Sequence, residues 1–292
     1  MKQPTPADAG AVPELPGEDL RWRVAGHPDP DWFWKSGATS IANIRTMLSI
    51  IGTSFADYPR ALEFGCGCGR MLLHLKEVAE TTELHAVDID AQAIGWVQGH
   101  VPWVEASVNQ GRPPLGFPDQ HFDLVFNQSV FTHLDESYQD AWLAELVRVT
   151  KPGGILVLSV SGEHPFSELV KSLRANGADP ATFIHEYDSQ GIVFIEDDAY
   201  VGGPFPDFYH STFHAPWYVF AHWSRFFDIK AFVPRGSLDF QDYVLLRRRE
   251  GPDPIRPAEP WQPLKALKVA AREPKRLAKK VYRKLKYARR KS

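Results

Sequence analysis

The sequence predicts an α/β protein, a mostly parallel sheet covered by helices on both faces and ending in an antiparallel pair. Three observations predict it. Between residues 60 and 160, short β-rich runs alternate with helical segments, the pattern of parallel strands joined by crossover helices. A glycine-rich turn, Gly65-Cys66-Gly67-Cys68-Gly69, follows the first run, and an acid, Asp88, ends the second. Beyond the alternation, apolar runs at 227–233 and 242–247 are joined through Pro234-Arg235-Gly236, which reads as a hairpin.

Taken in order, residues 1–17 hold four prolines and little that is apolar, and read as a flexible leader. Asp31-Trp32-Phe33-Trp34 precedes a helix over 40–51, whose apolar residues at 41, 44, 47, 48 and 51 keep helical spacing until Gly52. Strands follow at 60–64, 83–89, 122–127 and 155–160, with helices at 70–80, 91–100 and 137–149, and a Lys151-Pro152-Gly153-Gly154 turn before the last strand. A helix is expected at 165–175. Residues 176–216 are rich in Gly, Asp and aromatics without a clear period, and a helix at 217–226 leads into the final hairpin.

With 292 residues, 43% of them hydrophobic, the chain can bury a sizeable core, which excludes disorder, collagen-like repeats and a disulfide-stapled miniprotein. Its net charge of −3 is a cancellation. Residues 265–292 hold thirteen basic residues and one acid, Glu273, so the last 28 residues carry +12 and the rest −15. Prolines at 252, 254, 257, 260 and 263 make 251–263 an extended tether. Residues 264–292, with Leu277, Val281, Leu285 and Ala288 in a narrow stripe amid Lys and Arg, read as a basic amphipathic helix suited to an anionic membrane surface. An acidic body makes nucleic acid an unsuitable partner. The only cysteines, Cys66 and Cys68, are badly spaced to bridge each other and lack further ligands at zinc spacing, so no metal site is expected. A reducing cytoplasm fits this cysteine usage, as does a start without a basic segment followed by an apolar one. No stretch of about eighteen uncharged apolar residues occurs.

The glycines let the backbone turn sharply and approach a ligand, and Asp88, nineteen residues beyond Gly69, can accept from both hydroxyls of a ribose. The spacing is GxGxG, with Arg70 where a dinucleotide fingerprint needs its last glycine. Glu63, just before the turn, would repel a pyrophosphate and suit an ammonium group. Together with 122–127 and 148–154, these residues resemble the class I methyltransferases that use S-adenosylmethionine (SAM), in their bacterial small-molecule and glycan branch, over roughly 58–161. The resemblance implies a Rossmann-like, seven-stranded, mostly parallel sheet with an antiparallel last strand, spanning 18–250, with SAM as cofactor. It places Glu63, Gly65, Cys66, Gly67 and Gly69 around the methionine part, Asp88 at the ribose and Asn109 at the adenine, with Ile89 also in the cofactor-binding set. Asn127, on the fourth strand, joins this cofactor-binding set. Residues 162–225 are then the acceptor-side insert.

Methyl transfer needs an aligned acceptor, exclusion of water and, for a hydroxyl acceptor, a base. His133 follows the fourth strand at the edge where open α/β sheets bind ligands, which makes it a candidate base. His210 and His214 would share a face if helical, and His164 beside Glu163 is a further candidate. The insert interleaves aromatics such as Phe205, Phe208 and Tyr209 with Asp197, Asp198 and Asp207, a composition that suits a sugar ring. These features point to O-methylation of a sugar or glycan intermediate. The alternatives are N- or C-methylation of a small secondary metabolite, and a non-catalytic SAM-binding scaffold recruited through the basic tail.

Overall fold

The computed structural model describes residues 13–196, 205–251 and 255. The expected tether and basic helix, and most of the leader, lie outside the described residues.

Helix α1 (Glu18–Ala25), which the sequence reading did not anticipate, ends on Gly26 in the left-handed conformation. Helix α2 (Pro30–Ile50) starts ten residues earlier than expected, because the Asp29 side chain caps the Asp31 amide and Pro30 occupies the first helical position. It buries Phe33, Ile41, Ile44, Met47 and Leu48 against the sheet. The alternating region then gives β1 (Arg60–Phe64), β2 (Glu83–Asp88), α3 (Ala91–His100), β3 (Glu105–Val108), β4 (Phe122–Phe126), α4 (Glu136–Val149) and β5 (Thr150–Val160). Asp90 and Asp135 cap α3 and α4. The insert contributes α5 (Glu163–Ala175), α6 (Ala181–Gln190), β6 (Ile192–Ile195) and β7 (Ser211–His214). A short helix α7 (Pro216–Tyr218) widens into a π turn at Val219–Trp223, and β8 (Asp228–Ser237) and β9 (Gln241–Arg247) close the fold.

The main sheet has seven strands in the order β3-β2-β1-β4-β5-β9-β8, and only β9 runs against its neighbours. Chain direction reverses outward from β1 and β4, so the strand ends carrying residues 65, 88, 109, 128 and 161 form one rim at the switch point. One apolar layer packs α2 and α3 on one face; another packs α4, Val219 and Trp223 on the other. A third cluster, Phe166, Leu169, Phe183, Val193 and Phe213 among it, knits α5 and α6 to the β6–β7 pair.

Four local expectations are corrected. The helix expected at 70–80 is two 3₁₀ turns, Leu72–His74 and Val78–Glu80. The indole of Trp103 donates to the Leu72 carbonyl at 3.0 Å, taking the acceptor that a continued helix would offer to residue 76. The Lys151–Gly154 turn is absorbed into β5, whose ladder runs through a bulge with Gly153 at φ +77°. Pro234-Arg235-Gly236 lies inside β8, and the reversal falls at Leu238 and Asp239, both with positive φ. There the Asp242 carboxylate accepts from the Arg235 amide at 2.8 Å in place of a ladder partner. His210 and His214 share no helix; they lie before and at the end of β7. Among the described residues, no helix is long and apolar enough to cross a membrane.

Candidate active site

The glycine turn sits on the rim between β1 and the first 3₁₀ turn. Gly65, Gly67 and Gly69 have φ of +80°, +54° and +80°. A Cβ on Gly65 would stand 2.3 Å from Val130 Cγ2, and one on Gly67 2.5 Å from Val24 Cγ2, so both conformation and space demand glycine. Asp88 ties this loop to β2. Its Oδ2 accepts from the Gly67 amide at 2.7 Å and its Oδ1 from the Asp90 amide at 2.9 Å, while burial raises its pKa. Glu63 is 2% exposed and its Oε2 has no hydrogen-bond partner. Burial holds its pKa well above the ordinary carboxylate range, against the pull of Arg70. An unsatisfied carboxylate oxygen at a ligand-binding rim suits a cationic group placed beside it.

These groups line one end of a cavity of about 1590 Å³. Glu63, Gly65, Cys66, Gly67, Asp88, Ile89 and Asn109 all face it, as does His133. Gly69 packs instead on Val97. Asn127 lies fully buried beneath the rim, where its Oδ1 accepts from the Ser159 amide at 3.0 Å and joins β4 to β5. His210 and His214 do not line the cavity. His214 is wholly buried with its Nε2 against the Gln139 amide group at 2.9 Å, and burial drives its pKa down to about 3. It fastens β7 to α4, and a neutral imidazole so placed has no route to a substrate proton.

The rest of the lining comes from segments far apart in sequence. Residues 22–29 and Trp32 roof the glycine turn, where Arg23 pairs with Asp90 at 3.0 Å. Ser129, at φ +63°, reaches Gln241 of β9. Ser161, His164 and Glu168 enter from the start of α5, and 237–241 from the closing hairpin. Residues 205–209 complete the wall with Phe205, Phe208 and Tyr209. The sequence reading missed the roof and the hairpin tip as site elements; the Asp29-Pro30 cap before an exposed Trp32 is a signal that the roof begins there. The one group of metal-ligating side chains among the described residues, Glu83, His85 and Glu105, has atoms within 4.8 Å of one another but stands outside the cavity, and Arg60 bonds Glu83 at 2.8 Å.

A methyltransferase-domain family (Methyltransf_11) matches residues 62–158, the stretch that carries the glycine turn, Asp88 and the β4–β5 rim. Residues 62–158 are thus similar to a methyltransferase domain. The cofactor of this methyltransferase domain is SAM, and the donors present fit it: Glu63 with its unpartnered oxygen would meet the amino group, and Asp88 the ribose. The malonyl-[acyl-carrier protein] O-methyltransferase of Methylococcus capsulatus is 30% identical over 118 residues, 40% of this chain and 42% of the relative. That of Halorhodospira halophila is 30% identical over 112 residues, covering 38% and 37%. The chain thus spans about two fifths of the length of these curated relatives. Among solved structures, the 1,6-didemethyltoxoflavin-N1-methyltransferase of Burkholderia thailandensis aligns over 82% of this chain and 93% of its own at 14% identity, with a TM-score of 0.49.

Proposed function

We propose that this protein is a SAM-dependent O-methyltransferase acting on an uncharged hydroxylated acceptor, a sugar or glycan intermediate, with His133 taking the hydroxyl proton. The observation that carries the reading is the composition of this cavity. At about 1590 Å³ it exceeds the roughly 300–1,000 Å³ typical of a single-ligand pocket, so it has room for a cofactor and an acceptor together. One end holds Glu63 and Asp88; the other holds His133 with aromatic walls.

The charges of the lining favour a neutral acceptor. Three guanidinium groups face the cavity, and each is engaged: Arg23 by Asp90, Arg70 by Ser36 and Ser40 at 3.2 Å, and Arg235 by Asp239 at 2.7 Å. Carboxylates at 29, 63, 88, 90, 168 and 239 outnumber them. A phosphate or carboxylate acceptor would enter against that field, whereas a sugar stacks its CH face on aromatics and bonds its hydroxyls to groups such as Ser161, His164 and Gln241.

SAM, when bound, supplies a methyl group on a sulfonium whose sulfur leaves as a neutral thioether. The chain's own part is to hold the acceptor, to exclude water beneath the 22–32 roof and the 205–209 wall, and to receive the proton. The new O–C bond forms as the hydroxyl proton passes to His133, which releases it to solvent after the product leaves. The test is conversion of SAM to S-adenosylhomocysteine with a panel of neutral glycosides and their sugar-phosphate counterparts, and NMR of the product. O-methylated neutral glycoside supports the reading; preference for the phosphates, or a methyl on nitrogen or carbon, overturns it.

A further inference from the structure

Residues 205–210 touch both ends of the cavity. Toward the cofactor end, Phe208 stacks on Tyr138 with ring centroids 4.5 Å apart, and the guanidinium of Arg112 lies 3.6 Å from the centre of the Tyr138 ring. A Cβ on Gly111 would stand 2.5 Å from Phe208 Cε1. Phe208 is thus pressed on the backbone two residues beyond Asn109, and only glycine permits so close an approach.

Toward the acceptor end, the next residue, Tyr209, stacks on His133 at 4.0 Å and 15°, and Phe205 stacks on Tyr209 at 4.8 Å and 12°. The backbone of His210 then grips His133 twice. Its amide donates to the His133 carbonyl at 3.0 Å, and its own carbonyl lies 2.6 Å from His133 Nδ1. A carbonyl oxygen can only accept, so Nδ1 carries the proton and the basic lone pair falls to Nε2. His210, which sequence spacing offered as a base, thus contributes its main chain to the one histidine of the pair that faces the cavity.

We propose that residues 205–210 form a clip that holds His133 as its Nδ1–H tautomer and, through Phe208 on Gly111, links that setting to occupancy of the adenine end of the cofactor site. Phe208 and Tyr209 are consecutive, so a shift of one ring on its platform is delivered to the other through a single peptide unit. Linkage makes the effect reciprocal: a cofactor that seats Phe208 also seats His133. The clip couples the setting of the base to the presence of a methyl donor. It rests on the reading of His133 as proton acceptor.

The test is NMR of the full-length, ¹⁵N-histidine-labelled protein, with His133 assigned from a His133→Asn spectrum. The expected result is a protonated Nδ1 and an unprotonated Nε2 at pH 8, with both signals shifting when S-adenosylhomocysteine is added. Phe208→Ala should weaken S-adenosylhomocysteine binding about tenfold and abolish that shift. Tyr209→Leu should leave the binding within twofold but move the His133 titration midpoint by half a unit or more. Gly111→Ala, which displaces Phe208 without removing it, should reproduce the first variant if Phe208→Ala does not fold. A protonated Nε2, or His133 signals indifferent to S-adenosylhomocysteine in the unmodified protein, would overturn the clip. Neither readout needs an acceptor, so failure to methylate glycosides would sink the proposed substrate and leave the clip standing.

Discussion

The two ends of the cavity are built on different principles. The cofactor end is local: Glu63, the glycine turn and Asp88 fall within 26 consecutive residues, on adjacent strands held in register by Glu63 beside Ala86 and Phe64 beside Val87. The acceptor end is assembled from the rim at 128–133, the start of α5, the 205–209 wall and the tip of the last hairpin. What the difference teaches is where each end is vulnerable. A local site fails through its own residues, whereas an assembled site fails through whatever holds its parts together.

The sharpest test of that separation is Asp88→Ala. Removing a carboxylate that accepts two backbone amides and would meet the ribose should weaken S-adenosylhomocysteine binding by about 3 kcal/mol, roughly 100-fold, in calorimetry. If His164→Ala at the other end weakened it as much, the two ends would not be separable.

Acid should open the acceptor end first. His214, which fastens β7 to α4, is held down to about 3 from an ordinary 6.5 by burial, so the folded protein refuses a proton that the unfolded chain takes up. Its neutral form contributes nothing adverse above pH 6.5, and stability is lost as pH falls from 6.5 toward 3. At pH 5 the loss is about 2 kcal/mol from this group. Thermal melts at pH 7 and pH 5 should show a smaller difference for His214→Gln than for the unmodified chain, and hydrogen exchange at pH 5 should rise earliest in β6 and β7. An equal acid response in both proteins would remove His214 from this role.

A smaller effect is expected at the acceptor wall itself. His164 sits edge-on to Phe240 at 5.6 Å and faces the cavity. His164→Ala should slow methylation less than tenfold while leaving S-adenosylhomocysteine affinity within twofold. We propose in addition that the basic segment 264–292 holds the acidic body on anionic lipid. Truncation after Pro263 should then leave cofactor binding unaltered and abolish salt-sensitive sedimentation with anionic liposomes. Equal sedimentation of the truncated chain would refute it.

The same contrast explains what could be read before any coordinates. Gly65 to Gly69 and Asp88 declare themselves because turn conformation, close approach and strand spacing are short-range demands. The mostly parallel sheet with its antiparallel close was legible for a similar reason, since alternation admits few architectures, although β3 was not read as a strand. The insert was opaque. Its α6 and the β6–β7 pair hold four-residue strands whose stability comes from Phe166, Phe183 and Phe213 packing together, and no short window of sequence records such a contact. His210 and His214 show the hazard directly: a four-residue spacing carries a helical meaning only in a helix, and β7 gave it another. Arg235 shows a subtler case, because a Pro-Arg-Gly run signals a turn unless a distant carboxylate, here Asp242, satisfies the amide within a strand.

The strand order has one further implication, for how the molecule is made. The last strand among the described residues, β9, is not at the margin of the sheet but between β5 and β8, which do not pair with each other. The first five strands can assemble as synthesis proceeds, but β5 keeps an open flank until residues 241–247 arrive. Gln241, which meets Ser129 across the rim, arrives with them. The hairpin side of the cavity therefore comes into being only once residues 241–247 have joined the sheet, and a chain interrupted before that point could display a glycine turn without the wall that faces it.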